Sequence, residues 1–144
     1  MKLSTLQDLF VHDLQDAYSA EQQLTEALPK LARASHDPQL RAAFERHLAE
    51  TQGHLNDVSD ILAAFGGRAG GIKCVAMAGI VKEGDDLTKA EGTDAVLDAA
   101  LIGAAQRAEH YEIAAYGTLS AMAALLGHTE AQRVIDRILE QEHQ

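Results

Sequence analysis

The sequence predicts an all-α protein, a four-helix bundle with a short crossover helix between the second and third long helices, in a single domain spanning 1–144. Three observations carry this reading. Apolar residues return every three or four positions through most of the chain, the period of an amphipathic helix. Helix punctuation interrupts that pattern at Asp37-Pro38, at the glycine-rich stretch 66–71, at Gly92 and at Gly127. Apolar residues make up 47% of the chain but aromatic ones only 4%, with no Trp, so the core is built from Leu, Ala, Ile and Val and suits closely packed helices. A chain of 144 residues favours one domain and buries about two-thirds of its unfolded surface.

The first helix is expected to open at Ser4, with Gln7 three residues on in a capping-box pattern. Leu6, Phe10, Leu14, Ala17, Leu24, Leu28 and Leu31 then form one stripe, and the helix ends near Ser35. Pro29 lies inside it, removes one backbone hydrogen bond, and predicts a kink. Asp37-Pro38 starts the second helix as N-cap and first-turn proline. That helix carries Leu40, Phe44, Leu48, Leu55, Val58, Leu62 and Phe65. The glycine-rich stretch 66–71 is a loop with no Lys-Ser/Thr of a phosphate-binding loop after it. Cys74 to Lys89 reads as the crossover helix, weakened by Gly79 and Gly84. Thr93 starts the third long helix, whose alanine-rich part 99–126 stops at Gly127. Thr129 with Gln132 repeats the capping box, and Val134, Ile135 and Ile138 face inward on the last helix. Its pattern is still running at Gln144, so the helix is expected to continue past that residue.

Acids interrupt the apolar stripes. At about 100° per residue, Glu112 falls within about 20° of the line through Leu101, Ala105, Leu119 and Ala123. Glu21 lies equally close to the stripe of the first helix, and Glu142 falls on the side of Val134, Ile135 and Ile138. A buried unpaired charge costs several kcal/mol, so something must compensate these acids. The four long helices form two hairpins, and their acids correspond: Glu50 follows Glu21 at nearly the spacing at which Glu142 follows Glu112. Carboxylates converging from four helices suit two hard or borderline cations such as iron or manganese. The competing reading is that Arg33, Arg107 and Arg137 neutralise the acids in structural ion pairs. His47, Glu50 and His54 lie along one flank of the second helix, so either histidine can reach the same level. His110 and His143 point away from the stripes.

The stretches DLFVHDLQDAYSAEQQLTEALPKLARA, HLAETQGHL, KCVAMAGIV and AALIGAAQRAEHYEIAAYGTL span nearly the whole chain. They resemble the YciE/YciF family of bacterial stress-associated proteins, within the ferritin-like superfamily of di-iron carboxylate proteins. The resemblance implies a four-helix bundle with a crossover helix, a rubrerythrin-like dinuclear site and a homodimer. That superfamily's pattern is one Glu on two helices and Glu-x-x-His on the other two. This chain departs from it. Glu50 has Gly53 three residues on, with His47 before it and His54 after it. Glu140-x-x-His143 fits the string but faces away from Val134 and Ile138, so Glu142 is taken instead. Glu109-x-x-Glu112 supplies two acids on the third long helix, as rubrerythrin-like proteins do. The expected ligands are therefore Glu21, Glu50, His54, Glu109, Glu112 and Glu142 around two iron or manganese ions, with Glu50 and Glu142 as bridges and Tyr18 and His47 beside them. Tyr18 matches Glu109 in the repeat.

A net charge of −10 argues against nucleic acid or an anionic membrane as partner. No basic, apolar leader opens the chain and no apolar run approaches a membrane span, which predicts a cytoplasmic protein. Cys74 is the sole cysteine and is expected to be buried packing. No Ser-His-Asp arrangement, zinc-type cysteine pair or iron–sulfur cysteine set is present, so the sequence names no electron donor. Two functions follow: redox chemistry at the dinuclear site (iron oxidation, or peroxide or oxygen removal under stress), or a stress-induced structural or interaction module whose metal only stabilises the bundle.

Overall fold

Two helical hairpins build the molecule. In the computed structural model, which describes residues 1–143, α1 (Leu6–Ala34) and α2 (Pro38–Ala64) form the first, and α4 (Asp94–Leu126) and α5 (Thr129–Glu142) the second. The hairpins join through α1 against α4 and α2 against α5, while α3 (Val75–Thr88) crosses over and lies on α1 and α4. The described residues contain no strand, and no helix among them is long and apolar enough to cross a membrane. The expected continuation of α5 past Gln144 lies outside the described residues.

The ends of the helices show where local signals give way to tertiary ones. The capping box of α1 sits one residue later than the sequence suggested, on Thr5 and Asp8 rather than Ser4 and Gln7. Asp8 Oδ2 accepts from the N–H groups of Ser4 at 3.0 Å and Thr5 at 3.2 Å, and Asp8 N–H donates to Thr5 Oγ1 at 3.1 Å. A carboxylate there also complements the helix dipole, which the Gln7 amide cannot do. α1 then runs as one helix through Pro29. The α1–α2 turn is held from α4, where the Asp98 carboxylate accepts from His36 N–H and Asp37 N–H, both at 2.9 Å. Arg41 satisfies the end of α1 by donating to Ala32 O at 3.2 Å and Ser35 O at 2.8 Å.

Gly127 takes φ 75° after α4, and His128 N–H to Ala123 O (2.9 Å) with Gly127 N–H to Ala124 O (3.1 Å) close a Schellman motif. The expected capping box at Thr129 is absent: α5 begins with Thr129 itself, and His128 is the N-cap. His128 is fixed instead by Gln7 Oε1 at 2.8 Å from its Nε2 and by the Phe65 ring, with centroids 4.3 Å apart.

The core has two apolar parts. One gathers Phe10, Leu14, Val58, Leu62, Tyr116, Leu119, Ile135 and Ile138 from all four bundle helices. The other gathers Leu24, Leu28, Phe44, Met77 and Leu101 from α1, α2, α3 and α4. Between them every bundle helix places a buried polar residue: Glu21 on α1, Thr51 and His54 on α2, Glu112 on α4 and Glu142 on α5.

Candidate metal centre

The apolar repeat that folds each helix also delivers its polar group to this layer. Glu112 continues the inward row Leu101, Ala104, Ala108 and is followed by Tyr116 and Leu119. Glu21 comes between Ala17 and Leu24 on α1, and Glu142 one turn after Ile138 on α5. Glu21, His54, Glu112 and Glu142 are at most 6% exposed, and each offers one ligand atom within 4.8 Å of the others.

Two further side chains aim this set. The Tyr116 hydroxyl donates to Glu21 Oε1 at 3.0 Å, which turns Oε2 toward the layer. His54 Nε2 lies 2.6 Å from Gln141 Oε1, and because that oxygen can only accept, Nε2 carries the proton. His54 Nδ1 therefore faces the carboxylates, at 3.4 Å from Glu142 Oε1 and 3.6 Å from Glu21 Oε2. These are ion-pair distances without hydrogen-bond alignment. Among the described residues, the buried side-chain atoms lacking a hydrogen-bond partner are Glu21 Oε2, His54 Nδ1, both oxygens of Glu112 and Glu142 Oε2, all within this one cluster. Native interiors rarely leave one such atom unpaired, and five in one cluster could hold a cation.

No arginine supplies it. Arg33 and Arg107 are exposed, and Arg137 pairs with Asp57 at 3.3 Å away from the layer. Among the described residues the ion-pair partners of the cluster are histidines alone. Burial pushes the Glu112 carboxyl well above its ordinary value, and the charges of Glu21 and Glu142 push it further. Burial alone would depress His54, but Glu142 and Glu21 outweigh it and raise it from 6.5 to about 10. The Tyr116 hydroxyl is likewise raised, by burial and then by Glu21. Without metal, the layer holds protons where a metal would hold charge.

The remaining expected residues form a half-open flank. His47 Nδ1 lies 3.7 Å from Glu109 Oε1, and His47 Nε2 lies 4.0 Å from Glu142 Oε1. Glu142 Oε1 thus stands between His47 and His54. Glu109 is half-buried, and burial raises its pKa, with Glu142 and Glu50 adding to the rise against His47. Glu50 is partly buried and lies outside the four-residue cluster. The centre of the inward face of α2 at this level is Thr51, whose hydroxyl donates to His47 O at 2.8 Å. Tyr18 packs on the apolar part that contains Phe10. Glu140, His110 and His143 are exposed.

Three contributors escaped the sequence reading. Tyr116 stands one turn after Glu112, so the same helical phase could have found it. Gln141 precedes Glu142 and carries no signal of its own, and Thr51 looks like any polar residue. Cys74 is buried as expected and serves as N-cap of α3, its Sγ accepting from Met77 N–H at 3.4 Å. Burial raises its thiol pKa, which disfavours the reactive thiolate.

Three carboxylates and an imidazole are a donor set for iron, manganese or a similar divalent ion. The unpaired oxygens show that the residues present fit such a group. Comparison with known proteins gives the setting. The family described as a domain of unknown function, DUF892, matches residues 5–144. Protein YciF of Escherichia coli is 43% identical over 143 residues, covering 99% of this chain and 86% of that protein. The crystal structure of the E. coli stress protein YciF superposes with a TM-score of 0.94, over 98% of this chain and 89% of that one. YcfI of Rhodopseudomonas palustris, for which a structural role has been suggested, gives 0.94 at 39% identity over 99% and 90%. A Xanthomonas campestris protein gives 0.77 at 26% identity over 96% and 84%.

Proposed function

This chain belongs to the DUF892 family, and on that premise we propose that its buried layer is a dinuclear iron or manganese centre with a redox function in stress defence, oxidising iron or removing oxygen or peroxide. The observation that carries the reading is Glu112, whose two oxygens are buried and unpartnered beside two further carboxylates and one imidazole. Glu21, His54, Glu112 and Glu142 would hold one ion. Glu109 and His47, with Glu50 at the rim, would hold the second, and Glu142 stands where it can serve both. A redox-active metal bound there would supply the electron-transfer steps.

The chain's own residues bind, orient and shield. Tyr116 fixes Glu21, and Gln141 fixes the tautomer of His54 through its Nε2 proton. The two apolar parts of the core keep water from the layer on both sides. Glu109 and Glu50 extend the carboxylates toward solvent and give an incoming cation a first contact. His54 Nδ1 and Glu112 hold protons until metal displaces them.

A second reading is a structural module with a metal that only stabilises the bundle. It is supported by the depth of the layer, with Glu21, His54 and Glu112 at most 1% exposed, and by the role suggested for the R. palustris relative. Turnover separates the two. Supplied with excess ferrous iron or a chemical reductant, a redox centre consumes many equivalents of oxygen or peroxide, and Glu112→Ala abolishes this. A structural site reacts with one equivalent at most and leaves the fold intact.

A further inference from the structure

We propose that the cavity between α1, α3 and α4 is a binding chamber for a small, uncharged, apolar molecule of the dioxygen class, and that it leads to the metal layer past His47. The proposal rests on the redox reading above and names the oxidant that the fold admits. The cavity is about 130 Å³ in volume. Its walls are Leu24 and Leu28 of α1, Ile80 and Val81 of α3, and Ala105 and Ala108 of α4. His47 also lines it, and its ring nitrogens lie 3.7 Å from Glu109 Oε1 and 4.0 Å from Glu142 Oε1. Ala108 lies one turn before Glu112 on the same inward row. Polar side chains line the rest of it, among them Gln23, Glu26, Lys30, Asp85 and Thr88.

Size and chemistry choose the occupant. An apolar cavity of roughly 150 Å³ stays dry and takes up xenon or benzene. Dioxygen is smaller than either and has no hydrogen-bonding hydrogens to desolvate. Hydrogen peroxide has two O–H donors, and a lining that is mostly aliphatic serves them less well than water does. The space is also not forced by packing. A Cβ at Gly84 would meet Ala104 Cβ at 3.7 Å and Leu31 Cδ2 at 3.8 Å, ordinary contacts that the site would tolerate. Glycine and alanine on the facing walls leave volume that larger residues could fill.

The test uses xenon as probe on the metal-free protein, read by amide NMR, and oxygen consumption by the ferrous protein. Ala105→Phe on α4 and Gly84→Leu on α3 fill the chamber from opposite walls. The parent should show saturable xenon shifts at Leu28, Ile80 and Ala105, and each folded variant should lose them. Each variant should keep its metal content, react several-fold more slowly with oxygen, and keep its rate with peroxide. Absence of saturable xenon shifts in the parent overturns the chamber. Unchanged oxygen rates in well-folded variants overturn the route. A protein that takes up no iron removes the redox reading and the route with it, while the xenon result still decides the chamber.

Discussion

The Tyr116 hydroxyl donates a 3.0 Å hydrogen bond to Glu21 Oε1, from the middle of α4 to the middle of α1. It satisfies one oxygen of a fully buried carboxylate and leaves the other, Oε2, 3.6 Å from His54 Nδ1. Tyr116→Phe keeps the packing and removes the donor. It should destabilise the metal-free protein by about 1–3 kcal/mol, as for other buried groups left unpaired. Metal affinity should fall by about 10–100-fold, the usual effect of losing a residue that orients a ligand. Denaturant melts and metal titrations on the same variant measure both.

Glu112 lies on the opposite side of that balance. Its folded-state pKa is raised, so the metal-free folded protein binds this proton more tightly than the unfolded chain does. The stabilisation is complete below the usual carboxylate range and fades as pH climbs through the raised value. At neutral pH Glu112 is therefore a liability without metal. Glu112→Leu should make the metal-free protein more stable by about 1–4 kcal/mol, as other replacements of buried ions do. It should also abolish the stabilisation that metal gives the parent. A clear loss of stability on metal-free Glu112→Leu would mean that Glu112 belongs to a satisfied ion pair.

Metal loading should release protons. His54 holds its proton up to about pH 10 in the metal-free layer, and Glu112 is raised as well. Both must give up protons to become ligands, so metal binding should release protons into solution. Calorimetry in buffers of different ionisation enthalpy counts them. Release should shrink in His54→Gln and in Glu112→Gln. Binding with no proton release would place the metal elsewhere.

The last helix offers a comparison within one turn. Glu140 is exposed and Glu142 is buried in the layer. Glu142→Ala should collapse metal affinity, and Glu140→Ala should leave it nearly unchanged. Equal losses would mean that Glu140 and His143 form the ligand pair.

Much of this was legible from helical phase. The positions of Glu21, Glu112 and Glu142 on apolar stripes, and the rejection of Glu140, need only the 3.6-residue period, because a buried row in a bundle is a local property of each helix. Helix ends were legible where the cap is local, as at Asp37-Pro38 and Gly127. At α1 two overlapping local boxes compete and the Thr5–Asp8 one wins over Ser4–Gln7, while His128 is fixed by Gln7 and Phe65 from other elements. Asp98 capping the α1–α2 turn joins positions far apart in sequence, and no pattern announces it. The flank of α2 was the hardest part. His47, Glu50 and His54 share one side of the helix, and only packing decides that His54 enters the four-residue cluster while Glu50 stays at its rim.

The most direct test is the metal content of protein purified without chelator and then titrated anaerobically with ferrous iron or manganese. The account predicts saturation at about two ions per chain, as in ferritin-like carboxylate sites, with binding lost in Glu112→Ala. A folded protein that binds no iron or manganese under these conditions would contradict it.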